Sequence, residues 1–419
     1  MRRLPIGVLQ SHDWKTARAP LSRIMKTIHV WPQEVEIADG FIMRGALVED
    51  EKPFTLWFRT PVEHADLLCD RAESFVAGVL LLAMMRGANL RIHAPVSPSF
   101  LRNVEEVQAI WSCWHSDFQV ISIEADSESE SIVQAPARAI SMFSGGVDSC
   151  FTVWRHTQNQ CGRRALPLQT SIMVHGSEID LERPEMFERA LQRSKNMLSE
   201  VNVNLVPLAT NFRYAMPYHY VSRWFGTMLA ASLLFFQESH TTGLIPASFS
   251  YHGLVLPYAS TPLNDPLFST SRFAIEHDGA IGSRATKMRA ILDWPAVLQN
   301  LRVCNEAEYS DINCGRCEKC VRNILTLRIV GVENPPCFPN TLSDADIEQI
   351  EMKSTDLEAM SRVVKAAKAA GIEASWVATV EKSIRRNRLH ACWEPTRQRV
   401  RQSAPEPLKR ALRSVRGRS

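Results

Sequence analysis

Apolar positions along this chain change period several times, from the alternation of strands to the three-to-four spacing of helices and back. Residues 34–48 and 53–60 read as strands, and the apolar stretch 66–85 as a buried helix. The alternation then repeats, with a strand at 89–94, a helix at 99–115 and a strand at 118–124. In that helix Leu101, Val104, Val107, Ile110 and Trp111 share one face. These elements predict an N-terminal α+β domain over residues 1–130, and no catalytic motif falls within it. Residues 126–137 begin polar and acidic and include Pro136, which suits a linker.

From residue 138 the order becomes strand, glycine turn, helix, strand, the pattern of an α/β domain with a parallel sheet. Strands are expected at 139–143, 168–174, 203–208 and 243–247, with helices at 148–156, 184–199 and 220–238 between them. A loop rich in Pro, Ser, Thr and Tyr follows at 250–271, and loops of that length inside compact domains usually carry function. A helix at 321–330 ends near Gly331. In a helical extension over 340–381, Thr355 to Glu358 fits a capping box, and Leu357, Met360, Val363, Val364 and Ala367 form one apolar face.

Composition narrows the picture. With 419 residues, 45% hydrophobic and 22% charged, the chain is long enough for two to three domains and apolar enough to bury a core. Its longest apolar stretches, 75–85 and 225–236, fall short of the ~20 residues a membrane span needs, and residues 1–15 lack a signal-peptide core. A cytoplasmic protein with no membrane span is expected. The net charge of +3 conceals an uneven distribution. Residues 382–419 carry twelve Lys and Arg against Glu394 and Glu406, so the remaining body is acidic. That basic segment reads as a disordered, solvated tail.

Ser144-Gly145-Gly146-Val147-Asp148-Ser149 directly follows one strand and directly precedes a helix. Glycines at such a turn let backbone N–H groups close on an anion, and the helix N-terminus adds partial positive charge. Ser144 and Ser149 can donate to phosphate oxygens, while Asp148 can orient a metal ion or a reacting group. A Walker loop is excluded because Gly-Lys-Ser/Thr is missing, and a dinucleotide fingerprint because no third glycine follows.

This segment resembles the pyrophosphate loop (PP-loop) of the N-type ATP pyrophosphatases. The resemblance implies an adenine nucleotide alpha hydrolase-like α/β fold that cleaves ATP, with Mg²⁺, between its α and β phosphates. It implies Ser144, Gly145, Gly146, Asp148 and Ser149 as the pyrophosphate and catalytic loop, with Phe143 and Val147 in the same segment. It also points to Met142, Val174 and His175 beside adenine.

Cys314, Cys317 and Cys320 form C-x2-C-x2-C, and Cys304 lies ten residues earlier. Four thiolates complete a closed tetrahedral site of the structural zinc type, with Arg316, Lys319 and Arg322 nearby to offset its charge. Cys337 is a reserve ligand. A PP-loop followed by this cysteine set is similar to the 7-cyano-7-deazaguanine synthase-like members of the family. They adenylate a carboxylate for attack by ammonia, which here implies a small carboxylate-like substrate and ammonia from solution or a separate glutaminase. The resemblance spans about residues 138–331, under half of the chain. Two alternatives stay open: a PP-loop sulfur transferase that thiolates tRNA on a three-cysteine iron–sulfur cluster, and a nucleotide-binding zinc protein without chemistry. Only the first would bring in nucleic acid, through the basic tail; a homodimer is compatible with any of the three.

Adenylyl transfer builds negative charge on the α phosphate, so a cation belongs nearby. Arg284 and Lys287, spaced i, i+3 after Gly282-Ser283, are the preferred pair, with Arg213 and Arg223 as competitors. His175 and Asp180 end the second strand of the α/β domain, where open sheets place ligands. Ser260 and Asp265 in the long loop are candidate substrate groups, and Asp265 is its favoured acid.

Overall fold

The computed structural model describes residues 26–216, 221–304 and 306–403. Eleven strands form one mixed, mostly parallel sheet: β1 (Thr27–Pro32), β2 (Glu36–Ala38), β3 (Phe41–Glu49), β4 (Phe54–Pro61), β5 (Asn89–Val96), β6 (Ile123–Glu128), β7 (Ala139–Met142), β8 (Leu168–His175), β9 (Asn204–Thr210), β10 (Thr242–Pro246) and β11 (Ala274–Asp278). Their spatial order is β11-β10-β7-β8-β9-β4-β3-β1-β5-β6, with β2 on β3. The helices are α1 (Glu73–Arg86), α2 (Pro98–Trp114), α3 (Val147–Thr157), α4 (Pro184–Ser199), α5 (Phe212–Ala215), α6 (Val221–Leu234), α7 (Arg284–Ala290), α8 (Pro295–Asn300), α9 (Glu318–Ile329), α10 (Asp344–Gln349), α11 (Ser354–Ala369) and α12 (Ser375–Ser403). No helix among the described residues is long and apolar enough to cross a membrane.

β7 to β11 are mutually parallel, as the strand–helix alternation predicts. β7 is buried on both sides: Ala139 faces the core under α3, α4 and α9, while Ile140 and Met142 face the core under α1, α2 and α6. This period-two alternation between two helical layers makes central strands read as continuous apolar runs. Packing across the second layer is close. A Cβ on Gly226 of α6 would lie 2.0 Å from the Ala259 carbonyl oxygen. Gly226→Ala is therefore expected to lower stability by about 2 kcal/mol through overpacking, read as a lower denaturant midpoint.

Three expectations are corrected. The N-terminal unit is not walled off, because β4 pairs antiparallel with β9 (Phe58 with Thr210, Arg59 with Ala209) and joins one continuous sheet. The strand read at 34–48 is a hairpin, because Asp39 (φ 52°) and Gly40 (φ 78°) make the left-handed two-residue turn between β2 and β3. The segment from Lys382 is not a disordered tail up to Ser403; it continues α12. Val380 and Ile384 are buried there, and Asn387 bonds the Met352 amide and the Ile350 carbonyl. Residues 404–419 lie outside the described residues.

Candidate functional site

Ser144 to Ser149 sits between the C-terminal end of β7 and the start of α3. Gly145 takes a left-handed φ of 72°, which a side chain would strain. Gly146 is the N-cap and brings no side-chain cap, so the first N–H groups of α3 remain available to an anion. The Ser149 hydroxyl fastens the turn, donating to the Gly146 carbonyl (3.0 Å) and accepting from the Ser144 amide (3.2 Å). Behind it, Asp278 of β11 accepts from Thr152 (2.8 Å) and Arg155 (3.0 Å), locking α3 against the sheet edge.

Both oxygens of Asp148 are held by α7: Arg284 donates to Oδ2 (2.9 Å) and Lys287 to Oδ1 (2.8 Å). Ser283 caps that helix at the Thr286 amide, and one turn brings residues 284 and 287 to the same side. Lys287 is 2% exposed and also donates to the Ala247 carbonyl at the end of β10. Burial works against ionisation of Asp148, but Arg284 and Lys287 outweigh it and hold the carboxyl below the usual range. Glu178 behaves alike, burial raising it and Arg302 lowering it further. Stabilisation by such depressed carboxyls is complete above their unfolded pKa values, about 3.9 and 4.3, and is lost as pH falls through the folded ones. The melting temperature is thus expected to drop below pH ~4, with a shallower drop in Asp148→Asn.

These groups open into a cavity of about 430 Å³. Met142, Ile172, Met173, Val174, Phe225 and Leu229 give it an apolar end, and Phe249 and Tyr258 stack edge to face on another wall. Its cations are Arg284, Lys287, Arg302, Lys319, Arg322 and Arg362, against two acids, Asp148 and Glu178. A concavity with that excess of positive groups selects anions.

Four groups predicted for the site lie elsewhere, absent from the cavity lining. His175 is buried, stacks on Phe187 (4.3 Å) and bonds the Asp180 carbonyl (2.9 Å). Asp180 pairs with Arg213 (2.8 Å). Asp265 is fully buried, bonded to Ser260 (2.7 Å) and His277 (2.8 Å), so both residues fasten the long loop to β11. A buried carboxylate needs that many partners, which explains why the loop is ordered around it. Of the competing cations, Arg213 is committed to Asp180 and Arg223 pairs with Asp117 (2.7 Å).

Arg302 was missed. Its amide donates to the Gly145 carbonyl (2.9 Å), and its guanidinium donates to the carbonyls of Ser144 (3.0 Å) and Ser310 (2.6 Å) and to Glu178 (2.7 Å). One residue therefore clamps the glycine turn to the segment after β8 and to the cysteine loop. Its only sequence signal is a position two before Cys304.

The sulfurs of Cys304, Cys314, Cys317 and Cys320 all lie within 4.8 Å of one another. Cys304–Cys317 and Cys314–Cys320 are each 3.8 Å apart. Four sulfurs about 2.3 Å from one tetrahedral ion stand about 3.8 Å from each other, so the set fits a single ion such as zinc. A multi-iron cluster would spread its thiolates further. Amide groups of Cys317 and Cys320 point at the sulfurs of Cys314 (3.3 Å) and Cys317 (3.5 Å), as expected around thiolates. Cys337 lies outside this group, and burial pushes its thiol up to about 12.

No family model, curated protein or solved structure matches the chain.

Proposed function

We propose that this chain is an ATP-dependent enzyme of the PP-loop kind that forms AMP and pyrophosphate while activating a carboxylate or amide oxygen. The observation that carries the reading is the uncapped glycine turn facing a cation-rich cavity whose other end is apolar. In this reading adenine lies against Met142, Val174 and Phe225 at the apolar end, and the phosphates lie over the turn. Asp148 holds Mg²⁺ in this reading, while Arg284 and Lys287, which already flank it, offset charge that develops at the α phosphate.

The acceptor oxygen attacks the α phosphorus and the α–β bond breaks, so pyrophosphate leaves with the electron pair. Ammonia then adds to the activated carbon and AMP leaves, a proton passing from nitrogen to solvent. Zinc in the cysteine set would supply a cross-link, not a reaction step. With Arg302 two residues from Cys304, that cross-link holds the clamp on the glycine turn. The closed four-sulfur arrangement favours this role over sulfur transfer.

Phosphorus NMR of Mg²⁺-ATP incubated with the protein, ammonia and a heat-treated small-molecule extract tests the reading. AMP and pyrophosphate are expected; ADP and phosphate would refute cleavage between α and β.

A further inference from the structure

The cavity does not stop at the glycine turn. Beyond Lys319 it continues between α9 and α11, where its lining becomes Arg322, Ile329, Ala359, Arg362, Val363 and Ala366. Neither the turn nor an adenine-sized apolar end accounts for this extension.

Arg322 is the informative residue. Its guanidinium carries five N–H donors; the buried Nε faces the Glu318 carboxylate at 3.2 Å, and the side chain also lines the cavity. Arg284 and Arg362 repel it, while Glu318 and Asp356 attract it. Five donors exceed what one carboxylate oxygen takes, so the guanidinium suits a second anion arriving from the cavity. Arg362 pairs with Glu358 on its own helix (2.7 Å), where both side chains are exposed. Beside the two guanidiniums the walls are aliphatic: Ala359 and Val363 are 6% exposed and Ile329 8%. Polyphosphate has no use for such a surface. A carboxylate on a hydrocarbon body satisfies both halves, the guanidinium fork taking its two oxygens.

We propose that the space between α9 and α11 binds an organic oxyanion with an apolar body, its charged head held by Arg322 and Arg362 and its body against Ile329, Ala359, Val363 and Ala366. This ligand is separate from the nucleotide, so the site stands whether or not ATP occupies the turn.

The test uses the full, metal-loaded chain and anilinonaphthalene sulfonate, a fluorescent anion with an apolar body, competed with octanoate. Saturable binding that octanoate displaces and octanol does not is expected in the wild type. Arg322→Met should weaken it about 10-fold or more, the loss of a charge-assisted hydrogen bond, and Val363→Trp should abolish it by filling the slot. Arg362→Met, at a half-exposed position, should weaken it as well. Mg²⁺-ATP affinity, measured in parallel, should change less than about 2-fold in Val363→Trp. Probe binding unchanged in all three variants would overturn the proposal. So would an Arg322→Met chain that loses Mg²⁺-ATP as strongly as the probe, because Arg322 would then belong to the phosphates. Wild-type protein that binds the probe but not Mg²⁺-ATP would instead remove the nucleotide reading and leave this site in place.

Discussion

Asp148→Asn is expected to cut pyrophosphate release by about 10²–10³-fold, the loss seen when one preorganised electrostatic group leaves an active site. The side chain keeps its shape, so the effect isolates charge. Asp148 bridges Arg284 and Lys287, and its carboxylate holds both in place. Without it, Lys287 retains the Ala247 carbonyl but stands 2% exposed without the counter-charge that Asp148 supplies. Breaking one side of a buried pair costs about 3–5 kcal/mol when both partners are fully buried; the partial exposure of Asp148 puts this case below that range. The variant should therefore melt lower as well as react more slowly. Mg²⁺-ATP should restore less of the melting temperature than in the wild type, and the metal content should not change, because the cysteine set lies on other elements. Calorimetry with and without nucleotide, beside the rate of pyrophosphate release, separates these effects.

Removing the metal should have the larger structural effect. Cys304 follows Arg302, while Cys314 and Cys317 lead into α9 with Cys320 in its first turn. An ion held by these four sulfurs would join a loop and a helix that both line the cavity. Zinc in small finger peptides contributes about 10–16 kcal/mol to folding; a loop docked on a large core receives a fraction of that. Chelation, or Cys314→Ser, is expected to add a separate low-temperature unfolding step and to weaken Mg²⁺-ATP binding. The weakening follows from Arg302, which holds the Ser144 and Gly145 carbonyls from that loop. Arg302→Met in the metal-loaded protein should reproduce the loss of nucleotide binding without the new unfolding step. Chelation that leaves both nucleotide affinity and the melting profile unchanged would show that metal site and glycine turn are independent.

The parts legible in the sequence were those whose chemistry is local. A glycine turn between a strand and a helix, and thiols three residues apart, advertise themselves within a few positions. Arg284 and Lys287 were legible because helical spacing puts them side by side, although the sequence did not say that Asp148 would be their partner. What depended on pairing across long distances was hidden. The β4–β9 junction joins residues about 150 apart in the chain, and neither strand's pattern names its partner. Asp265 misled because a buried, fully bonded carboxylate and an exposed catalytic one look alike in a polar loop. The course of α12 past residue 382 was obscured by Ser383 and Asn387, polar groups that face inward, Asn387 bonding the Ile350 and Ser383 carbonyls, so the apolar stripe is interrupted where the helix is packed.

The central claim is that the Ser144–Ser149 turn receives the phosphates of ATP. Isothermal titration of Mg²⁺-ATP into the wild type and into Gly145→Val tests it most directly, because the φ of 72° at Gly145 shapes the turn without contributing a side chain. One site per chain in the wild type, lost in Gly145→Val while the protein stays folded and metal-loaded, is the predicted result. A wild type that does not bind Mg²⁺-ATP, or a folded Gly145→Val chain that binds it equally well, would contradict the account.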